Sequence, residues 1–340
     1  MRRFLKQTFL LIIKFLGIYL YCRHRQKDAV VILTYHSVVP KIPNGAHRFE
    51  YHNAVSIAQF EWQIKKLLRW YKPVSIDELV SGNKDAFKRG FLITFDDGFK
   101  NNLTYALPLL KKYGVQACFF ITTGLIGQTE MIWTERITCL LCGTRKNSIT
   151  VNLGKPVTFT LNSDTERENA SREIRRFLKS SSKEHITQVL AELEEQAGVI
   201  EELDAMQKNE RYTFLSWDDV RELIKSRQII GSHTHNHEVL STLNIIQSDS
   251  ELKDSRRKIE DFAGSTCRYF SYPNGAKGDF SDLHKKQIKQ SGYVCAMTQI
   301  PGNNYQETDK FALHRINIDE QMTGVAFEAA VCGFLNKIRR

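Results

Sequence analysis

The run FLITFDDG, at residues 91–98, places two adjacent carboxylates at the end of a strand candidate. Its first five residues predict a short buried strand, because they are mostly apolar and carry no charge. Consecutive side chains of an extended backbone point in opposite directions, so only a turn can bring Asp96 and Asp97 to one site. Gly98 supplies the conformational freedom for that turn. Alone, this pair fits either a metal ligand beside a general base or a plain turn.

Similar apolar runs alternate with helical patterns on both sides of this stretch. Strands are predicted at residues 29–35, 91–95, 116–121, 229–232, 269–272, 294–297 and 313–318. Helices are predicted at residues 57–70, 103–113, 217–226 and 247–262. Strands that alternate with helices favour a parallel sheet, and about seven such units close into a barrel. In such barrels the chemistry lies at the carboxyl ends of the strands.

Residues 134–212 break this alternation. They contain a predicted hairpin at 148–161 and two charged helices, at 165–180 and 183–198. We interpret the stretch as an α-rich insertion in one barrel domain that spans residues 28–340. It either covers one side of the site or presents a surface to a partner, and the sequence does not choose between these roles.

Three histidines follow another strand candidate, in the run GSHTHNH at residues 231–237. Buried imidazoles need partners for both nitrogens, so such a cluster is unusual as a core feature. His233 and His237 are four residues apart and can face the same ion, whereas His235 would point away. Two histidines and one carboxylate leave positions open for water and substrate, as in a catalytic metal site.

Together with YFSYPNG at residues 269–275, these runs resemble the motifs of the polysaccharide deacetylases, the NodB-homology or carbohydrate esterase 4 group. The resemblance extends over roughly residues 30–318 outside the insertion. It implies an α/β fold, a distorted (β/α)7 barrel, and hydrolysis of acetyl groups from N-acetylated sugars. It also implies one divalent metal ion, zinc or else cobalt or nickel.

The resemblance assigns roles residue by residue. It implies that Asp97, His233 and His237 hold the metal and that Asp96 is the general base, which accepts the proton of the attacking water. A backbone N–H in the turn at residues 272–275 would stabilise the oxyanion, with Tyr272 and Asn274 on the substrate side.

The general acid is a first departure from the family pattern. Many members carry a late Leu-x-His motif, but here Leu313 is followed directly by His314. An early run, TYHSV at residues 34–38, instead resembles the permuted branch that acts on poly-N-acetylglucosamine. In that branch the early histidine is the acid, so we predict His36, with His314 as the alternative.

The arginine that usually orients the base is a second departure, because Ser271 occupies its usual position. Arg315 follows the last strand candidate and is our first choice for pairing with Asp96. Arg268 is the alternative. An ordinary surface ion pair remains an equally simple interpretation of each arginine.

The amino terminus is apolar with basic flanks. Residues 9–21 form an apolar run, interrupted by Lys14, and basic residues lie before and after it. A helix over residues 8–22 would be about 22 Å long, shorter than the roughly 30 Å hydrocarbon core of a bilayer. We expect the amino-terminal unit of residues 1–27 to anchor the chain to a membrane, the bacterial inner membrane, through residues 4–27, which either lie in the interface or marginally span the bilayer. The alternative is an amphipathic helix that packs on the domain.

Composition narrows the function further. The net charge of +10 fits a solvated basic surface or attraction to an anionic membrane or glycan. No nucleic-acid-binding motif accompanies the charge, so nucleic acid is not an expected partner. Seven cysteines without paired spacing do not fit a disulfide framework, and we expect Cys139 and Cys142 to pack in the core.

These patterns predict a metal-dependent N-deacetylase that acts on an N-acetylated glycan or glycolipid in cell-envelope or exopolysaccharide synthesis. One alternative is an enzyme for another N-acyl substrate, and a second is an inactive barrel that binds glycans. Phe99, Trp133 and Trp217 are candidates for stacking on sugar rings, although each fits a core position as well.

Overall fold

The computed structural model describes residues 2–43, 47–199 and 209–335. Seven parallel strands form its central sheet in the order β11-β10-β9-β6-β5-β1-β12, and the short β4 pairs with β5. The strands are β1 (Val30–Tyr35), β2 (Ser37–Val39), β3 (Ala54–Ser56), β4 (Lys72–Pro73), β5 (Gly90–Phe95), β6 (Ala117–Ile121), β7 (Ser148–Asn152), β8 (Pro156–Thr160), β9 (Ile229–Ser232), β10 (Tyr269–Ser271), β11 (Cys295–Met297) and β12 (Ile316–Asn317). The predicted α/β barrel with seven parallel strands is therefore confirmed.

The barrel closes through the segment at residues 313–317. Leu313 forms a parallel bridge with Met297 of β11, and Ile316 pairs with Leu33 of β1. The segment therefore joins the two edges of the sheet with few hydrogen bonds, which explains why the barrel is distorted. Arg315 lies between these two pairings.

Helices surround the sheet, form the insertion and make up the amino terminus. They are α1 (Arg2–Phe15), α2 (Ile18–Arg25), α3 (Ile57–Trp70), α4 (Ile76–Val80), α5 (Leu107–Tyr113), α6 (Trp133–Gly143), α7 (Asp164–Leu178), α8 (Lys183–Ala197), α9 (Trp217–Lys225), α10 (Ile245–Ala263), α11 (Asp282–Gln290) and α12 (Gly324–Val331). A π-helical turn, Asn102–Ala106, precedes α5, where the sequence predicts one regular helix. Ser56 and Asn244 cap α3 and α10 through their side chains, which satisfies free N–H groups at those ends.

Alternation along each strand divides the barrel core into two parts. On β5, Phe91, Ile93 and Phe95 pack against the outer helices, whereas Leu92 faces the barrel interior with Phe120. Every residue of β5 is buried, as expected for a parallel strand with both faces covered. This alternation determines which side chains reach the interior at the carboxyl ends of the strands.

The insertion has a core of its own. Helices α6, α7 and α8 enclose apolar side chains together with the antiparallel hairpin of β7 and β8. Cys139 and Cys142 on α6 are free thiols that pack in this core. The hairpin and both helices lie where the sequence predicts them, but residues 200–208 of the predicted insertion lie outside the described residues.

The amino terminus forms two helices instead of the single predicted one. Gly17 separates α1 from α2 with a φ of 74°, a conformation that glycine adopts at little cost. The pair packs on α12 through Leu10, Tyr19 and Cys22, and the Tyr19 hydroxyl donates to the carbonyl of Leu10. Within the described ranges, no helix has the length and apolarity needed to cross a bilayer.

Candidate active site

Asp96 lies in the barrel interior because it continues the inward-facing series of β5. Leu92 and Thr94 point inward, so the next alternate position does as well. Arg315 donates two hydrogen bonds to this carboxylate, from Nη1 to Oδ1 at 2.8 Å and from Nη2 to Oδ2 at 2.6 Å. Both side chains are almost completely buried, at 0% and 1% exposure. A bidentate pair of this kind fixes the orientation of a carboxylate as well as its charge.

Further bonds hold Arg315 in place. Its Nη1 donates to the Thr94 hydroxyl at 3.1 Å, its Nη2 to the Ser271 hydroxyl at 2.8 Å and its Nε to the carbonyl of Thr298 at 2.8 Å. Burial is the largest single influence and raises the pKa of Asp96, but the charge and hydrogen bonds of Arg315, together with the nearby histidines, outweigh it and hold the pKa below its usual range. Asp96 is therefore an ionised carboxylate that can accept a proton.

Asp97, His233 and His237 form a separate cluster beside this pair. The Asp97 Oδ1 atom lies 3.2 Å from Nε2 of His237 and 3.5 Å from Nε2 of His233. Ligand atoms around a tetrahedral zinc ion are roughly 3.3 Å apart, so these separations fit one ion. Among the residues that the structure describes, this is the one group of three or more side chains with metal-ligand spacing. The predicted ligand set is thus brought together.

The backbone turns sharply at two of these residues. Asp97 has a φ of 74° and His237 a φ of 61°, both in the left-handed region that such residues seldom adopt. The turn at Asp97 reverses the expected alternation, so that this side chain joins Asp96 at one site. Strained conformations of this kind persist where the surrounding structure holds them in place, often at functional sites.

Neighbouring residues orient the histidines. The Nδ1 atom of His233 donates to the carbonyl of Ser271 at 2.8 Å, which leaves Nε2 to face the cluster. The carboxylate of Glu251 accepts from the backbone N–H groups of His235 and Asn236, both at 2.8 Å. His235 itself turns away, as predicted, and its Nδ1 contacts the Thr123 hydroxyl.

His36 and His314 have different surroundings. His36 lines the cavity that contains Asp96, Asp97 and both ligand histidines. His314 precedes Arg315 on extended backbone, so its side chain points away from the barrel interior. There it packs beside Gly302, and it is not among the residues that line the cavity. The position of His36 thus agrees with our first choice for the acid.

Two further predicted site residues need correction. Arg268 does not approach Asp96, since it forms an ion pair with Asp77 at 2.8 Å, and both side chains are about half exposed. Tyr272 follows Ser271, which points inward, and therefore faces the outer helices. Its hydroxyl donates to the carbonyl of Phe311, and its ring stacks on Phe280.

Asn274, the other residue assigned to the substrate side, does line the cavity. That cavity has a volume of about 360 Å³ and is open to solvent at one side. Several of its walls come from residues that the motifs did not indicate: Asn53, Ile132, Thr134, Glu135, Arg175, Gln299 and Asn317. Gln299 lies 3.4 Å from Asp96 through its amide nitrogen. The insertion contributes Thr134, Glu135 and Arg175 and so covers one side of the site.

A second cavity of about 380 Å³ adjoins the first and shares Ile132 and His237 with it. Trp133 and Leu190 form part of its apolar wall. Trp133 is thus the one aromatic candidate for sugar stacking that reaches either cavity. Phe99 stacks on Phe214 and Trp217 on Phe262, as core or surface packing.

A carboxylate and two imidazoles at the carboxyl ends of a parallel barrel, beside a second carboxylate held by arginine, define the site of a metal-dependent hydrolase. The chain belongs to the polysaccharide deacetylase family, whose model matches residues 83–296. It is accordingly an N-deacetylase, a hydrolase of amide bonds on sugars.

Individual proteins are similar to this chain in sequence or in fold. The putative polysaccharide deacetylase YxkH of Bacillus subtilis (strain 168) is 23% identical over 307 residues, which cover 88% of this chain and 75% of the relative. The fold is shared with the Streptococcus pyogenes deacetylase PplD, solved with acetate, at 17% identity and a TM-score of 0.57 over 89% of this chain and 98% of that one. It is also shared with IcaB from Ammonifex degensii, at 16% identity and a TM-score of 0.56 over 90% and 98% of the two chains.

Proposed function

We propose that this deacetylase removes N-acetyl groups from amino sugars of an envelope polysaccharide or glycolipid, with zinc as its metal. The observation that carries the proposal is the pairing of two unlike carboxylates. The Asp97 Oδ1 atom lies between two imidazole nitrogens, at 3.2 and 3.5 Å, whereas Asp96 is paired with Arg315 and its Oδ2 lies farther from His233, at 4.0 Å from Nε2. One carboxylate is thus suited to metal binding and the other to proton transfer.

Asp97, His233 and His237 would hold the metal. A carboxylate oxygen and two imidazole nitrogens suit zinc, with cobalt and nickel as the next candidates. When bound, such an ion polarises the acetamide carbonyl and lowers the pKa of a coordinated water.

Side chains of this protein carry out the proton transfers. Asp96 accepts a proton from the attacking water, and Arg315 keeps the carboxylate oriented and ionised. His36, in the wall of the same cavity, donates a proton to the leaving amine nitrogen. In the turn at residues 272–275, the N–H groups of Tyr272 and Gly275 donate to backbone carbonyls and Pro273 has none, so the N–H of Asn274 would donate to the developing oxyanion.

A polymeric or lipid-linked substrate suits the two adjoining cavities. They meet at Ile132 and His237, so a chain that places one acetamido group at the metal site can extend towards Trp133. Aromatic rings stack favourably on the apolar faces of sugars, and apolar walls also suit an acyl chain.

An acetate-release assay tests this proposal. The metal-free protein is reloaded with zinc, cobalt or nickel and offered a panel of N-acetylated oligosaccharides and glycolipids. We expect acetate release that depends on the added ion and is abolished by a chelator. Tight sugar binding without acetate release under every metal would contradict the proposal and favour a glycan-binding module.

We also propose that α1 and α2 attach the enzyme to an anionic membrane surface. Apolar side chains of the pair and of the turn between the two helices are strongly exposed, among them Phe15 at 87%, Leu16 at 68% and Leu20 at 67%. The sequence places basic residues at both ends of the same segment. An apolar surface flanked by cations suits binding in the plane of a bilayer interface. Release of the whole protein from membranes in low-salt buffer without detergent would contradict this proposal.

A further inference from the structure

The insertion places a cation in the wall of the active-site cavity. Arg175 lies on α7, and its side chain lines the same cavity as His36, Asp97 and the two ligand histidines. No motif of the barrel includes this residue, because it belongs to a segment outside the repeated β/α pattern. The family motifs therefore assign no function to this guanidinium group beside the acetamide-cleaving site.

Only neutral acceptors hold the Arg175 guanidinium. Its Nε donates to the carbonyl of Ser171 at 3.2 Å, and its Nη1 lies 3.3 Å from Nε2 of His52. The Nδ1 atom of His52 lies 2.6 Å from the carbonyl of Phe49, so Nδ1 carries the hydrogen and Nε2 accepts from Arg175. Burial lowers the pKa of His52 to about 4, which keeps this ring uncharged at neutral pH.

The charge of Arg175 has no partner of opposite sign in ion-pair contact within the described part of the chain. Two arginines that are more deeply buried, Arg211 and Arg315, differ in this respect. Arg315 pairs with Asp96, and Arg211 pairs with Glu135 at 3.1 Å. A partly buried cation without a counter-ion is costly, and an anionic ligand would offset that cost.

The remaining charges around the cavity are already committed. Asp96 is neutralised by Arg315 and Glu135 by Arg211, while Asp97 belongs to the cluster of metal-ligating residues. The two ion pairs reduce the repulsion that Asp96 and Glu135 would otherwise exert on an incoming anion. Glu135 and Glu168 attract the Arg175 guanidinium at longer range, but neither is in ion-pair contact with it. Among the described residues that line this cavity, Arg175 is therefore an arginine without an ion-pair partner.

We propose that Arg175 binds an anionic group, a carboxylate or a phosphate, that the substrate carries next to its acetamido sugar. A guanidinium group suits either oxyanion, since both accept two parallel hydrogen bonds from it. This inference rests on the proposed deacetylation and narrows its substrate class to anionic glycans or glycolipids. Arg175 acts in specificity, and the bond cleavage remains with the barrel residues.

Matched substrates test the proposal. Three are compared: chitotetraose as the neutral one, a tetrasaccharide of alternating N-acetylglucosamine and glucuronate as the carboxylate arm, and a phosphorylated chitotetraose as the phosphate arm. For the Arg175→Gln variant, we expect the ratio of kcat/KM for a charged substrate over the neutral one to fall about 10- to 100-fold. The change should lie in KM, and Arg175→Lys should retain part of the preference.

Arg172 supplies the matched control. It lies one turn earlier on the same helix, exposed, and bonds to Asn169. Arg172→Gln should leave the charged-to-neutral ratio as it is in the unaltered enzyme. An equal loss on all three substrates for Arg175→Gln would show a merely structural role and overturn the proposal. An unchanged ratio would overturn it as well.

Equilibrium binding of the same oligosaccharides separates this inference from the proposed function. Suppose that the charged sugars bind more tightly than the neutral one, that this preference is lost in Arg175→Gln, and that no acetate is released. The role of Arg175 in anion binding is then supported, and only the proposed deacetylation fails. If acetate is released but neither binding nor turnover favours a charged sugar, the inference fails and the deacetylation proposal stands.

Discussion

The barrel and the two amino-terminal helices differ in how completely they bury their apolar side chains. Strands β1 and β5 bury every residue, and their apolar side chains are divided between the barrel interior and the outer helices. Helices α1 and α2 bury Leu10, Tyr19 and Cys22 on α12, but Phe15 of α1 and Leu16 of the turn that follows it are exposed. Large exposed apolar surfaces are uncommon on soluble monomers unless they contact a partner or a membrane.

This difference indicates that the two regions have separate tasks. The barrel encloses all the residues of the proposed chemistry, and none of them comes from α1 or α2. The helices contribute no wall to either cavity beside the site. Changes in the barrel should therefore alter turnover without altering membrane binding, and changes in the helices should do the reverse.

Loss of the shared metal ligand should have the largest effect. Asp97→Ala removes the oxygen that lies nearest to both imidazole nitrogens, so we expect acetate release to fall to the level of metal-free protein. Elemental analysis of the purified variant should find little bound metal, while vesicle binding persists. His235→Gln is the control and should keep its metal, because His235 faces Thr123. Full metal content in Asp97→Ala would contradict the ligand assignment.

Removal of the base should separate metal binding from turnover. Asp96→Asn keeps the shape of the side chain but cannot accept the proton, so kcat should fall towards the upper end of the about 100- to 10,000-fold range for general-base loss. Metal content should stay near that of the unaltered enzyme.

Arg315 complicates this variant, because the change leaves it buried beside a neutral amide. A lower melting temperature is expected, since removing one member of a buried ion pair leaves an uncompensated charge. Turnover should therefore be measured well below that temperature. Near-normal turnover in a folded, metal-loaded Asp96→Asn variant would refute the base assignment.

The general acid can be assigned by a pair of substitutions. We expect His36→Ala to lower kcat by about 100-fold, the lower end of the range for loss of a general acid. His314→Ala should change kcat less than about 3-fold, because that side chain lies against Gly302 outside the cavity. A leaving group that needs no protonation, such as an aryl acetate, should reduce the His36→Ala defect. The reverse ranking of the two variants would make His314 the acid.

The alternation of apolar runs was sufficient to predict all seven barrel strands, and two of the three motifs contain the residues of the metal cluster. Both are local patterns, in which the residues that act together are close in sequence or follow strand ends. The choice between Arg315 and Arg268 was not local. It depended on where residues 313–317 close the barrel, which places Arg315 in the interior beside Ser271.

The incorrect and the missed site residues also have specific structural causes. Tyr272 was assigned to the substrate side from its motif, but alternation after the inward-facing Ser271 turns it outward. Gln299 and Arg175 reach the site from a loop and from the insertion, and no spacing in the sequence relates either to the motifs. Their contribution depends on tertiary packing, which a linear pattern does not encode.

The smallest effect that we predict concerns the membrane surface. The double change Phe15→Asp with Leu16→Asp places two charges on the most exposed part of α1 and the turn after it. Burying an apolar side chain of this size is worth about 1.5–3 kcal/mol, so binding to anionic vesicles should weaken by at least about 10-fold in a sedimentation assay.

Ile246→Asp is the matched control, because Ile246 is 81% exposed on α10 of the barrel domain. Vesicle binding should survive that change, and both variants should deacetylate a soluble oligosaccharide at the rate of the unaltered enzyme. If Ile246→Asp weakened binding as much as the double variant did, the barrel itself would contact the membrane, and the separation of tasks would be wrong.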